Sequence, residues 1–347
     1  MISILNNNFI EITVDNLISN ILSIRIKALE SSKLYIVVKS NFYGLGIPLL
    51  KELIDYVDGV VVGDINDYLN IKTYLLKINK EIIILYPNLN DKEIIKEICS
   101  NENLYFTIMN IEDYKYVSKY ECFRLYLRID PFLGLHGVDF STAKSYLDKY
   151  KFYGVLVHVN EYLDIEEENH LLEIINWAKT KNLKINIGGS AIVNYERILN
   201  EQIDLRFTKG IIAPINNRES ILLKTRILMK SQIESTTQIG YKSDRIHLEK
   251  GTILLISLGY GDFKMLPIYY EQKTPLIIEG KKFYIPCYPC MNTCWLYCEE
   301  FVEVKSEYID LYNSIISNQI INYLDLDQDE ILSSFSENIE RNYIKGG

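Results

Sequence analysis

The feature that most constrains this 347-residue chain is a rhythm of short apolar, β-branched runs separated by segments of helical periodicity. The runs are Leu34–Val38, Gly59–Val62, Ile82–Tyr86, Leu104–Ile108, Leu125–Ile129, Gly154–Val157, Lys184–Ile187 and Ile203–Phe207. Most lack the alternation of a half-exposed strand, and continuous apolar runs suit strands buried on both faces. Between them, Asn66–Leu76 and Ile165–Lys179 place apolar residues at three- and four-residue steps, as helices packed on a sheet do. Right-handed crossovers leave two architectures for such a chain, a closed barrel or an open doubly wound sheet. Eight repeats favour the (β/α)8 barrel.

After about Ser220 the texture changes. Leu222–Ile233, Thr252–Leu258, Pro275–Ile285 and Phe301–Val304 read as strands joined by turns, with a helix over Leu311–Leu324. The expected organisation is an α/β chain, with the barrel over residues 1–220 and a mostly β domain over 221–347. The net charge of −9 and the lack of a basic stripe exclude nucleic acid as a partner. The longest apolar runs, such as Ile253–Leu258, are strand-sized and too short to cross a membrane. The first sixteen residues show neither a positive n-region nor a continuous apolar stretch, so a cytoplasmic location is expected.

A parallel barrel does its chemistry at the C-terminal ends of its strands. The first run ends in Lys39, the fifth carries Arg128 and ends at Asp130, and the sixth ends in His158. The seventh runs into Gly188, Gly189 and Ser190; the eighth carries Arg206 and runs into Thr208 and Gly210. A lysine leaving an apolar strand is the most informative of these. Desolvation lowers an amine's pKa, as an imine-forming lysine requires. The same lysine also suits the solvent end of an ordinary strand. Gly-Gly-Ser before a helical segment fits either a phosphate seat or a plain turn. His158 reads as a base, a stacking partner or a structural histidine.

Several segments, in order, resemble the alanine racemase family of fold-type III pyridoxal-phosphate (PLP) enzymes. Val37-Val-Lys39-Ser-Asn-Phe-Tyr43-Gly-Leu-Gly46 resembles the family's cofactor-lysine motif. The stretch from Leu127 to Gly137 is similar to its strand-five segment, and Gly154–His158 to its strand-six histidine. Gln238–Tyr241 and Ser257–Asp262 resemble two tyrosine motifs, and Cys290-Met291-Asn292 resembles Cys-Met-Asp. Glu330 onward, with Glu340-Arg-Asn-Tyr343, looks like the family's C-terminus. The resemblance implies a PLP-dependent racemase of a small amino acid, a homodimer with shared active sites, making D-alanine for peptidoglycan. Lys39 would carry the cofactor through an imine and move the α-proton on one face. Tyr241, from the partner subunit, would act on the other, because racemisation needs proton transfer on both faces of a planar carbanion. Tyr43, Ser190 and the backbone at Gly210 and Ile211 would hold the phosphate. His158 would pack on the pyridine ring, and Tyr260 and Met291 would line the substrate pocket.

The chain departs from the family pattern at telling positions. Leu135 stands where the family has an arginine that places the substrate carboxylate, and a leucine is no carboxylate clamp. Arg128 replaces a lysine and supplies a permanent charge to the cofactor site; Asn292 replaces an aspartate. The pyridine-nitrogen partner is Arg206 if the alignment is anchored on the strand, and Thr208 if it is anchored on Gly210. These changes keep open a diverged member that acts on another amino acid or does not racemise. Cys287, Cys290, Cys294 and Cys298 are dense enough to raise a metal-binding alternative. Structural zinc sites use two separated pairs, however, and Cys290 falls where the resemblance already has a cysteine, so no metal is expected. On a continuous strand, alternation would put Cys287 on the face opposite the other three.

Overall fold

The computed structural model describes residues 7–75, 77, 79–87, 89, 92–122, 124–132, 134, 137–160, 162–212, 220–240, 245–312 and 328–346. The chain divides into two compact units, Leu17–Phe42 with Ile47–Ile215, and Met1–Asn16 with Tyr43–Gly46 and Asn216–Gly347.

After a first strand, β1 (Asn8–Thr13), the larger unit supplies β2 (Leu34–Val38), β3 (Gly59–Asp64), β4 (Glu81–Tyr86) and β5 (Leu104–Ile108). It continues with β6 (Leu125–Ile129), β7 (Gly154–His158), β8 (Lys184–Gly188) and β9 (Asp204–Phe207). All eight run parallel and close into a barrel, sealed where β2 pairs with β9 through Tyr35 and Arg206. Their residues are almost entirely buried, because the lumen is packed on one side and helices cover the other. Helix Ile165–Thr180 is typical. Asp164 and Glu167 form a capping box at its start, and Leu171, Ile174, Ile175 and Ala178 are its buried stripe.

A lumen-facing residue reveals itself by reaching a strand that is not its neighbour, as Tyr35 on β2 does with Glu81 on β4. The Tyr35 hydroxyl on β2 and the Tyr105 hydroxyl on β5 both donate to Glu81 on β4, and Lys33 Nζ pairs with the same carboxylate at 2.7 Å. This network fills the N-terminal end of the barrel. From Tyr35, the two-residue period puts Val37 and Lys39 inward. From Tyr126, which packs on Tyr105 with ring centroids 5.8 Å apart, it puts Arg128 inward.

The second unit is built on β10 (Ile221–Ile233), whose burial alternates over Ile221–Ile227 as expected for a strand with one covered face, and β11 (Thr237–Ile239) pairs antiparallel with β12 (Ile246–Leu248). The sheet order is β16 (Cys294–Cys298), β13 (Gly251–Ile256), β10, β1, β18 (Glu340–Ile344), with β17 (Tyr308–Tyr312) also paired to β10. Three details differ from the sequence reading. Pro275–Ile285 is not one strand but a hairpin, β14 (Leu276–Ile278) and β15 (Lys281–Phe283). Its turn needs positive φ twice, met by Glu279 at 49° and Gly280 at 76°. Phe301–Val304 is not a strand; the Val302 N–H donates to the Thr252 side-chain hydroxyl rather than to a backbone carbonyl of a strand ladder. Of the expected helix Leu311–Leu324, Leu311 and Tyr312 belong to β17, and the remainder lies outside the described residues. No helix among the described residues is long and apolar enough to cross a membrane.

Candidate active site at the C-terminal mouth of the barrel

Lys39 leaves β2 at the C-terminal rim. Gly63 on β3 makes room for it, since a Cβ there would sit 3.2 Å from Lys39 Cβ. The Asp67 carboxyl accepts the Gly63 N–H at 3.2 Å and the Ser40 N–H as well, tying down the backbone on both sides of the lysine. Burial raises that carboxyl above the ordinary aspartate range, and the neighbouring Asp64 adds to the rise. Beyond Lys39 the chain takes an unusual path: Ser40, Asn41, Phe42 and Tyr43 all have φ between 50° and 55°. A left-handed turn of four L-residues costs roughly 1–2 kcal/mol per residue. Strain of this kind persists only where the surroundings over-determine it, and it collects at functional sites.

In the β-rich unit the end of that turn is gripped from the chain's other end. Arg341 Nε and Nη2 donate to Gly44 O at 3.0 and 2.8 Å, and the Tyr343 hydroxyl donates to Leu45 O at 3.0 Å. Gly44 has no alternative, because a Cβ would lie 2.2 Å from Leu332 O. Tyr43 is buried beside this clamp.

Arg206 is 3% exposed and fully inside the barrel. Its Nη1 donates to Asn186 Oδ1 at 2.6 Å and Asn186 O at 3.2 Å, and its Nη2 to Val157 O at 2.8 Å. Gly188, its partner on β8, is required there, since a Cβ would fall 2.4–2.6 Å from the guanidinium. Thr208 bonds elsewhere. Its hydroxyl donates to Val37 O at 2.9 Å, two residues before Lys39. Of the two candidates for the pyridine nitrogen, Arg206 therefore carries its charge beside His158, and Thr208 is committed to β2.

His158 ends β7, exposed at the mouth yet crowded by charged neighbours. Desolvation, then the positive charges of Arg206, Arg128 and Lys39, push its pKa down to about 3, against a weaker opposite pull from Asp130. The imidazole is thus neutral at physiological pH, and Lys39, Arg128, Asp130 and Arg206, all singled out from sequence, lie within electrostatic reach of it. Ser190 opens a short 3-10 turn after Gly189, whose φ of 126° and close approach to Val159 admit only glycine. Ile211 has both backbone groups engaged: its N–H donates to Thr208 O at 2.8 Å, and its carbonyl accepts from Asn20 Nδ2 at 2.6 Å. Gly210 lies in the same turn, Lys209–Ile212.

In the β-rich unit, Tyr260 and Met291 are brought together. The N–H groups of Tyr260 and Gly261 donate to Cys290 O and Met291 O at 3.0 and 2.9 Å. Both side chains are exposed, Tyr260 by 37% and Met291 by 57%, and Tyr288 lies beside Tyr260. Asn292 is exposed next to them. Tyr241 and Leu135 lie outside the described residues. Only Cys294 and Cys298 belong to β16, where they face inward with Leu296. Cys287 is not opposed to them but buried close to Cys294; burial, then Cys287 and Cys290, push the Cys294 thiol well up. Among the described residues no three potential ligands converge on a metal position.

Two family models match the chain: alanine racemase, N-terminal domain, over residues 12–179, and alanine racemase, C-terminal domain, over residues 221–343. The chain belongs to the alanine racemase family. An alanine racemase of Acinetobacter baumannii (strain SDF) is 22% identical over 270 residues, 71% of this chain and 72% of that protein. Among solved structures, alanine racemase of Clostridium difficile 630 superposes with a TM-score of 0.82 at 19% identity, covering 99% of this chain and 97% of the other. Alanine racemase of Bartonella henselae, solved with covalently bound pyridoxal phosphate, superposes with a TM-score of 0.82 at 16% identity, covering 98% and 100%. At such identities the likeness establishes the fold.

Pyridoxal 5'-phosphate is the cofactor of this family. The barrel mouth fits it: a lysine at the rim, a neutral histidine, two buried arginines, and N–H donors on Arg128 that no described residue satisfies. Sequence reasoning gave no role to Asn186, Asp67 or the Arg341–Tyr343 clamp. Asn186 carried a signal, because a polar residue inside an apolar strand run needs a buried partner. Nothing local connects Arg341 to Gly44, 297 positions away.

Proposed function

We propose that the chain is a PLP-dependent racemase that interconverts the L- and D-forms of a small amino acid by proton transfer on two faces. The observation that carries this reading is the convergence of Lys39, Arg128, His158 and Arg206 at the barrel mouth, with His158 held neutral by its cationic neighbours. When bound, the cofactor supplies an electron sink for the carbanion at the substrate Cα. Lys39 would hold the cofactor covalently and would give and take the proton at the substrate Cα on one face. Tyr241 of a second copy of the chain serves the opposite face. Neutral His158 would pack against the cofactor ring without adding charge. Arg206, fixed by Asn186 and Val157, would meet the ring nitrogen and keep it unprotonated, which would moderate charge delocalisation and limit side reactions. Tyr43, Ser190 and the Gly210 turn hold the phosphate. Tyr260 and Met291, exposed together on the β-rich unit, line the substrate pocket of the partner, so the working form is a homodimer.

The test is exchange of the α-proton in deuterium oxide, screened over small amino acids and started from each enantiomer. Tyr241→Phe is expected to slow exchange from one enantiomer by about 100-fold or more while leaving cofactor uptake unchanged. Equal rates from both enantiomers in that variant contradict the two-face assignment.

A further inference from the structure

A buried guanidinium is costly unless its N–H groups meet acceptors. Arg128 breaks that pattern. Its side chain is 5% exposed, and its Nε and Nη1 have no hydrogen-bond partner among the described residues. The guanidinium carbon lies 5.2 Å from the centroid of the Tyr86 ring. That contact with an aromatic face stabilises the charge but takes none of the directional N–H bonds.

A second unmet donor lies in the same layer of the barrel. Arg128 on β6 pairs with Leu156 on β7, and Leu156 pairs with Asn186 on β8. Asn186 is fully buried, and its Nδ2 has no partner among the described residues. Its Oδ1 already accepts from Arg206, which fixes which amide atom is the nitrogen. The unmet groups on Arg128 and Asn186 are all donors, so the missing partner is an acceptor. The surplus of positive charge around His158, with Lys39, Arg128 and Arg206 set against Asp130, makes that acceptor an anion. Nearby His158 is neutral and offers no competing charge.

We infer that Arg128, helped by Asn186, is the receptor for an anionic oxygen at the mouth of this barrel. Within the proposed function, that oxygen belongs either to the carboxylate of the amino-acid substrate or to the ring hydroxyl of the cofactor. In the first case Arg128 supplies the carboxylate anchor that Leu135 cannot, from a different strand position.

The experiment is calorimetric titration of the purified protein with propionate, a carboxylate lacking the amine. It is done with and without PLP, alongside a separate titration of PLP itself, for wild type, Arg128→Met and Arg128→Lys. Replacing a buried, incompletely paired charge by methionine is compatible with folding, which circular dichroism checks. Arg128→Lys keeps the charge and loses the fork, so it carries the comparison should the methionine variant fail to fold. The expected result is that Arg128→Met weakens propionate binding by about 30-fold, with Arg128→Lys intermediate and PLP affinity little changed. A fall of that size in PLP affinity, with propionate unaffected, assigns the receptor to the ring oxygen and still supports it. Folded variants that bind both probes as wild type does overturn the inference. Wild-type protein that binds propionate through Arg128 but takes up no PLP leaves the receptor standing and removes the cofactor reading instead.

Discussion

At the residue scale, His158 shows how the barrel sets a protonation state. A free imidazole titrates near 6.5; here desolvation and three nearby cations hold it at about 3. The unfolded chain therefore binds a proton between these values that the folded chain does not. His158 thus contributes nothing against folding above pH 6.5, and destabilises the fold progressively as pH falls from 6.5 towards 3. The ring resonances of His158 are expected to stay those of a neutral imidazole down to about pH 5 in nuclear magnetic resonance titrations. A midpoint near 6.5 contradicts the electrostatic picture. Lys39, Arg128, His158 and Arg206 could all be picked out from sequence, because each is a polar residue at or near the end of an apolar run. What each one touches could not. Arg206 bonds to Asn186 on the neighbouring β8, and Thr208 to Val37 on the neighbouring β2; such contacts depend on barrel register rather than on local sequence.

At the element scale, the eight barrel strands were legible because a strand buried on both faces must be apolar along its whole length. Each run read from sequence overlaps its strand to within a residue or two, as Leu104–Ile108 and Gly154–His158 show. Elements set by distant partners were harder to read. β1 is a short segment whose partners are β10 and β18, more than 200 residues away, and the Gly44 end of the turn that follows Lys39 is held by Arg341 from β18. The barrel also separates two jobs along its axis. In the proposed function the rim at Lys39 would carry the chemistry, and the network of Glu81, Lys33, Tyr35 and Tyr105 would carry stability at the opposite end. Glu81→Leu strands the buried Tyr35 hydroxyl and the Lys33 charge, so it is expected to cost roughly 2–3 kcal/mol in chemical denaturation. Cofactor uptake at the other end of the barrel should be unaffected. A loss of cofactor uptake without a loss of stability would contradict this division.

At the scale of the whole molecule, the family, the barrel and the β-rich unit together make a cofactor-dependent enzyme the economical reading of this chain. The proposed completion of the site by Tyr241 from a second copy has a direct consequence. Inactive Lys39→Ala and Tyr241→Phe chains, mixed in equal amounts and allowed to exchange subunits, should recover roughly a quarter of wild-type activity. That follows because half the dimers are mixed and each of these has one intact site; no recovery would mean that each chain builds its own site. All of this chemistry depends on Lys39 carrying the cofactor. The visible absorption spectrum of the purified protein after addition of PLP, followed by borohydride reduction and peptide mapping, tests that directly. A yellow absorption band that borohydride removes is expected, with the cofactor fixed to the peptide containing Lys39 and no such product from Lys39→Ala. A colourless protein, or a cofactor fixed to some other lysine, would contradict it.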